Sequence, residues 1–432
     1  MSVPGSARVL NLLLGDRQQS FETGITSVCS AHPLVLEAAC REALRAGTAV
    51  LIEATCNQVN QDGGYTGMTP ADFRRFVLGI AAKARLPAER LVLGGDHLGP
   101  NPWKALPAET ALEKAEAMVA AYVAAGFAKL HLDCSMGCAG EPAALPDAVV
   151  AERAARLAGV AEREAAAAGL PMPVYVIGTE VPPPGGATHA IDGIEPTAAA
   201  AVRETRDVHR QAFAAAGVSA AFERVIALVV QPGVEFGNAN VIIYDRPRAK
   251  TLCGVLADWP ETVFEAHSTD YQPQQALAAL VEDGFVILKV GPGLTFALRE
   301  ALYGLEAMAD TLLGAGGESL RATMERLMLA DPQYWQSHYP GTPEEQRLQR
   351  HFSYSDRIRY YWTQAEAVAA VERLLARLEG VAIPQTLVSQ YLARLYPAVA
   401  EGRLLPQARE LCLAAVELAL APYRAATTGD LQ

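Results

Sequence analysis

The sequence predicts an α/β fold, a (β/α)8 barrel with a C-terminal helical extension. Three observations predict it. Eight short runs rich in Val, Ile and Leu recur through the first 300 residues. Most are near-continuous apolar stretches, the pattern of parallel strands buried on both faces. Most are followed by a segment of helical character, so that strand and helix alternate about eight times.

The eight runs are Gly24–Ser30, Ala49–Thr55, Arg90–Asp96, Lys129–Ser135, Pro173–Glu180, Arg224–Gln231, Thr262–Asp270 and Phe285–Gly291. Helical segments accompany them at Pro33–Ala46, Thr69–Ala84, Thr110–Ala125, Asp147–Ala168, Pro196–Ala216 and Leu294–Leu313. Thr69-Pro70 marks a helix start, a capping hydroxyl before a proline whose missing N–H would have no partner there. Near Gly317 the rhythm changes. Gln364–Leu378 and Gln407–Ala425 read as helices, preceded by the aromatic stretch Tyr354–Trp362. A barrel takes about 250 residues, and the chain has 432. We therefore expect the barrel within 1–316 and a helical extension packed on it over 317–432. The segment Glu180–Glu195, with Pro182-Pro183-Pro184-Gly185-Gly186, is long for a loop and is a candidate lid.

The formal net charge is -12, with no basic block. This argues against nucleic acid as the main partner, because phosphate backbones are bound by clustered Lys and Arg. No run approaches the roughly 18 apolar residues of a membrane span, and Val9–Leu14 lacks the features of a signal peptide. Seven scattered cysteines without a CxxC suggest reduced thiols and a cytoplasmic setting.

Function in such a barrel collects at the C-terminal strand ends, and here those ends are polar. Strand one leads into His32. Strand two gives Glu53, then Asn57 and Gln58. Strand three ends in Asp96-His97, and strand four gives His131 and Asp133. Strand five ends in Glu180, strand six runs into Gln231 and Glu235, strand seven gives Glu265, His267, Ser268 and Asp270, and strand eight gives Lys289 and Gly291. Buried carboxylates and imidazoles cost several kcal/mol unless paired or ligated, so one polar end common to eight strands points to a site. His97, Glu180 and His267 would form an open site for a divalent metal, Zn first, with Mn, Co, Ni or Mg as alternatives. Asp96 is the natural proton-transfer group; Glu180 and Asp133 are further catalytic candidates, and Asp133 could instead be a fourth ligand or orient one. Lys289 has two readings, a substrate contact with the Gly291-Pro292-Gly293 turn holding a phosphate, or a Schiff base. Asn57, Gln58, Asp270, Ser268, Gly291 and His32 are the other candidates for substrate contact.

Several longer motifs carry a family resemblance. They include Leu51–Thr69 (LIEATCNQVNQDGGYTGMT), Gly94–Trp103 (GGDHLGPNPW), His131–Pro142 (HLDCSMGCAGEP), Val176–Gly186 (VIGTEVPPPGG), Glu265–Gln272 (EAHSTDYQ), Lys289–Glu300 (KVGPGLTFALRE) and Ser355–Trp362 (SDRIRYYW). Together these resemble the Z-subunit family of D-tagatose-1,6-bisphosphate aldolase, GatZ/KbaZ. The resemblance implies likeness in fold to class II aldolases. It implies either a non-catalytic partner of a class II aldolase chain or a 4-epimerase acting on a ketose or ketose phosphate. The catalytic Asp beside a metal-binding His is matched by Asp96-His97, and a later metal His by His267. The usual third His has no counterpart in a comparable place, and Glu180 is taken in its stead.

For a 2-ketohexose, the C4 proton is not α to the carbonyl, so enolisation cannot invert C4. Retro-aldol cleavage and re-addition can. The expected activity is therefore metal-dependent C4 epimerisation of a fructose/tagatose-type substrate. The alternatives are the partner-subunit role and a Schiff-base aldolase using Lys289. Association into a homo-oligomer is compatible with either.

Overall fold

A computed structural model describes residues 23–178 and 193–428. Eight parallel strands close into a barrel: β1 (Ile25–Cys29), β2 (Val50–Thr55), β3 (Leu91–Leu98), β4 (Lys129–Leu132), β5 (Val174–Ile177), β6 (Val225–Val229), β7 (Val263–Ala266) and β8 (Phe285–Val290). Neighbours pair in chain order, and β8 closes on β1 with Ser27 opposite Lys289. The expected strand count holds. Most strands are shorter than their apolar runs because the chain leaves the ladder where polar side chains begin. β3 does the reverse and runs through Asp96 and His97 to Leu98, with a slip in its pairing to β4 between Gly95 and Leu98. A two-residue antiparallel ribbon, Glu235–Phe236 with Val241–Ile242, was not expected.

Burial divides the apolar side chains into two cores. A small one fills the lower barrel interior with Ile25, Leu51, Val92, Val176, Ala227, Val229, Val263 and Ile287. The large one lies between strands and outer helices and continues under the C-terminal helices. Helix Pro70–Lys83 begins as the sequence indicates: Thr69 caps Asp72 N–H, Asp72 returns a bond to Thr69 N–H, and Pro70 occupies the first turn. Helices Arg246–Cys253 and Gln274–Glu282 were not anticipated.

The segments after Leu313 are helical. The last helix, Ala408–Thr428, packs against Pro33–Ala46, Gln274–Glu282 and Pro292–Leu313. Tyr423 Oη donates to Thr269 O at 2.6 Å, tying this helix to the chain after β7. Arg357–Tyr361 forms a short 3-10 turn near the barrel mouth, and Thr363 Oγ1 donates to Tyr65 O in the loop after β2. No helix among the described residues is long and apolar enough to cross a membrane.

Candidate functional site

Three histidines and an aspartate converge at the C-terminal mouth. Asp96 and His97 stand at the end of β3, His131 on β4, and His267 just beyond β7. His97 has φ 49, a left-handed backbone rare for a residue with a Cβ. That turn, within the pairing slip, brings its Nε2 to 3.7 Å from Asp96 Oδ2. The ring centroids lie 4.7 Å (His97–His131), 4.9 Å (His97–His267) and 5.3 Å (His131–His267) apart. Ligand-capable atoms of Asp96 and the three histidines all lie within 4.8 Å of one another.

Each imidazole has one nitrogen occupied by an acceptor. His97 Nδ1 donates to Asp133 Oδ2 at 2.7 Å. His131 Nε2 donates to Gly178 O at 2.9 Å, and His267 Nε2 to Glu265 Oε1 at 2.9 Å. A carboxylate or carbonyl so placed fixes the proton on that nitrogen and makes the other a lone-pair donor, the arrangement that orients histidine ligands of metals. The other nitrogens are His97 Nε2, His267 Nδ1 and His131 Nδ1, the last of which lies 3.0 Å from Asp96 Oδ1 and 3.3 Å from the His97 N–H nitrogen. His97 Nε2 is buried and makes no hydrogen bond, and a cation would satisfy it. The cluster thus fits a divalent metal through nitrogen donors and a neighbouring carboxylate.

Beneath this lies a buried ionic layer. Lys129 Nζ sits 2.6 Å from both Glu53 Oε1 and Glu265 Oε2, all three fully buried. Ser27 Oγ donates to Glu53 Oε2 at 2.7 Å. Lys289 contacts Asp96 and lies 3.3 Å from Glu53 Oε2 and 3.9 Å from Glu265 Oε1. Gly94 makes room for the layer: a Cβ there would come within 2.5 Å of Glu53 Oε1.

Burial opposes ionisation of Asp96, but His97, Lys289 and His131 outweigh it and hold the carboxyl well below its usual range. Burial likewise opposes charge on Lys289, yet Asp96, Cys29, Glu53 and Glu265 raise it well above the ordinary lysine value. An ammonium held this way is a poor Schiff-base nucleophile. Burial, with the charge of Lys289, keeps His267 neutral. Burial disfavours a cation on His131 while Asp96 and Asp133 outweigh it, the same pull they would exert on a metal at Nδ1.

Of the residues the sequence nominates, Asp96, His97, Asp133, His267 and Lys289 come together. Asp133 touches His97 and Ser135 and so orients a histidine. His131, noted on its strand but not as a ligand, supplies the third imidazole; its inward position two residues before Asp133 was the available signal. Lys129 was missed, although a lysine opening an apolar strand needs a buried anion.

Lys289 and Gly291, the candidates for a phosphate contact, both have partners within the chain. Lys289 points inward to Asp96, and Gly291 N–H and Gly293 N–H both donate to Asp270 Oδ1, at 3.0 and 2.7 Å. Asp270 and Gly291 therefore satisfy each other. His32 caps helix Pro33–Ala46 through Nδ1, and burial lowers it to about 4. Gln58 Oε1 accepts from Thr55 N–H and braces its own loop, while Asn57 is exposed. Ser268 is buried, with φ 53. Glu180, named as ligand and catalyst, lies outside the described residues, as does most of the expected lid at Glu180–Glu195.

Fold and site together define a (β/α)8 barrel with a histidine–carboxylate centre at its mouth. Residues 10–428 match the D-tagatose-1,6-bisphosphate aldolase subunit GatZ/KbaZ-like family, and the chain belongs to that family. It is 60% identical over 420 residues to a D-tagatose 6-phosphate 4-epimerase of Agrobacterium fabrum, covering 97% of this chain and 98% of that one. It also resembles the crystal structure of a probable tagatose 6 phosphate kinase from Sinorhizobium meliloti 1021, with TM-score 0.87 and 59% identity over 93% of this chain and 100% of that one. The fructuronate-tagaturonate epimerase UxaE of Cohnella laeviribosi shares the fold, with TM-score 0.50 and 12% identity over 95% and 83% of the two chains.

Proposed function

We propose that this chain is a ketose-phosphate 4-epimerase that interconverts D-tagatose 6-phosphate and D-fructose 6-phosphate by retro-aldol cleavage and re-addition. The observation that carries the reading is the set of three imidazoles, each with one nitrogen against an acceptor and the other turned into one cluster with Asp96. The relatives' names support the substrate: the epimerase and the structure called a kinase both refer to tagatose 6-phosphate.

His97, His131 and His267 would hold a divalent cation, zinc matching three nitrogen donors best. Such a cation supplies Lewis-acid polarisation of the C2 carbonyl and C3 hydroxyl when bound. Asp133 and Glu265 keep His97 and His267 in the required tautomers. Asp96, held ionised by its cationic neighbours, takes the proton of the C4 hydroxyl. The C3–C4 bond breaks with its electron pair passing to C3, giving the enediolate of dihydroxyacetone and D-glyceraldehyde 3-phosphate. The aldehyde turns about its C4–C5 bond and presents its other face. C3 attacks, and Asp96 returns the proton to the new C4 oxygen. Lys289 steadies Asp96 in both protonation states.

The test is to strip the purified chain with chelator, reload it with Zn, Mn, Co, Ni or Mg, and supply D-tagatose 6-phosphate. Chromatography then resolves every product. Metal-dependent appearance of D-fructose 6-phosphate is expected. Triose products in its place would make the chain an aldolase. Silence from folded, metal-loaded protein would leave the partner-subunit role.

A further inference from the structure

Arginines withdrawn from water are normally found with a carboxylate, because an unpaired buried guanidinium is costly. Three buried arginines here obey: Arg153 meets Glu141, Arg299 meets Asp356, and Arg350 meets Glu325. Arg357 does not. It is 7% exposed, and its side chain meets the carbonyl of Tyr334 and Tyr360, whose ring lies 5.1 Å away, with no carboxylate in ion-pair contact among the described residues. Two residues on, Arg359 is also without a carboxylate partner among the described residues. It donates to the carbonyls of Ser355 and Asp356 and to Tyr360 Oη, and its guanidinium lies 4.5 Å from the Tyr360 ring. Two cations thus share one aromatic ring, and among the described residues neither has a carboxylate in ion-pair contact.

Their place in the fold gives this meaning. The Arg357–Tyr361 turn reaches the loop after β2, where the Tyr360 and Tyr65 rings pack at 4.9 Å and Thr363 bonds to Tyr65 O. On the other side Tyr271, four residues past His267, donates through Oη to Tyr354 O at 2.6 Å, and the two rings pack at 4.5 Å. The turn therefore stands at the mouth, between the β2 and β7 sides of the centre. The other phosphate candidates there are engaged: Lys289 with Asp96 and Glu53, and the N–H groups of Gly291 and Gly293 with Asp270.

We propose that Arg357 and Arg359, braced by Tyr360, form the site for the phosphate ester of the substrate, at the end of the sugar remote from the histidine centre. Guanidinium forks match phosphate oxygens bidentately. An arriving dianion would supply the counter-charge that the turn lacks. The site rests on the ketose-phosphate reading above. It also gives the C-terminal extension a part in recognition.

The test measures binding and turnover separately on the metal-loaded full chain. Calorimetric titration with D-tagatose 6-phosphate, D-tagatose and inorganic phosphate is run on wild type, Arg357→Met, Arg359→Met and Arg359→Lys. Wild type should bind the phosphate ester more tightly than the free sugar. Each Met variant should lose roughly 10- to 100-fold in affinity for the ester and none for D-tagatose. Arg359→Lys should lose less. Because Arg359 is only partly buried, its two variants decide the matter if Arg357→Met does not fold. Unchanged ester affinity in folded Arg359 variants overturns the proposal, as does equal wild-type affinity for ester and free sugar. Arginine-dependent ester binding without turnover would leave the phosphate site standing and remove the epimerase reading.

Discussion

His97 Nδ1 and Asp133 Oδ2 lie 2.7 Å apart, and this bond leaves His97 Nε2 as the lone-pair nitrogen turned toward Asp96. Ser135 holds the other oxygen of Asp133 through its N–H and Oγ. The chain from Ser135 through Asp133 to His97 is a positioning device, repeated in kind by Glu265 under His267.

Removing Asp133 should therefore weaken metal binding while the fold stays intact. For Asp133→Ala we expect about 10- to 100-fold lower metal affinity, read by competition against a chromophoric chelator. Wild-type affinity would show that Asp133 does not orient a ligand.

Asp96 should behave differently. Asp96→Asn keeps the shape of the side chain and removes the proton acceptor. Metal content should stay near one equivalent, while turnover falls roughly a hundred- to ten-thousand-fold. An unchanged rate in the metal-loaded variant would exclude Asp96 as the proton-transfer group.

The ionic layer makes a prediction about stability. Lys129→Met leaves Glu53 and Glu265 facing each other in a site with no access to water. Breaking a buried pair by deleting one partner costs about 3–5 kcal/mol. Denaturant unfolding should show a loss of that order. A loss below about 1 kcal/mol would mean that Lys289 or a captured water replaces the missing charge.

The strands were legible because their burial on two faces leaves a signal in adjacent residues. Asp96 and His97 were legible because they end such a run. The direction of a long side chain was not. Lys289 reads equally well as pointing to the mouth or to the axis, and only the carboxylates of Glu53, Asp96 and Glu265, from three other strands, choose the axis. The Gly291-Pro292-Gly293 turn looked like an anion cradle, and Asp270, 21 residues earlier, fills it. His131 stayed hidden as a ligand because its neighbours in the cluster lie on strands distant in sequence.

Asp356 locks the turn that carries Arg357 and Arg359. It has φ 42 and accepts from Arg299 Nε at 3.0 Å and Thr295 Oγ1 at 2.6 Å. Asp and Asn tolerate this left-handed backbone better than other residues with side chains. Asp356→Ala would strain the turn and strand the buried Arg299, at about 3–5 kcal/mol, and limited proteolysis should then cut the extension first. Asp356→Asn should be milder. Equal resistance of wild type and Asp356→Ala would remove this locking role.

Two buried carboxyls should contribute stability that is lost as pH rises toward neutrality. Burial raises Glu235 from 4.5 to about 7, against the opposing N–H of Phe236, and raises Asp270 from 3.8 to about 6. Between those ordinary and shifted values the folded chain binds more protons than the unfolded one. The stabilising contribution is therefore complete below about pH 4 and is lost as pH climbs through 6 and 7. Burial lowers His32 to about 4 and acts oppositely, costing stability as pH falls below 6.5. Comparison of wild type with Glu235→Gln isolates the carboxyl, since glutamine can keep the bond from Phe236 N–H but does not titrate. The denaturation midpoint of wild type should fall relative to that of Glu235→Gln from pH 5.5 to 8. Parallel profiles would show that Glu235 is already ionised in the folded chain at the lower pH.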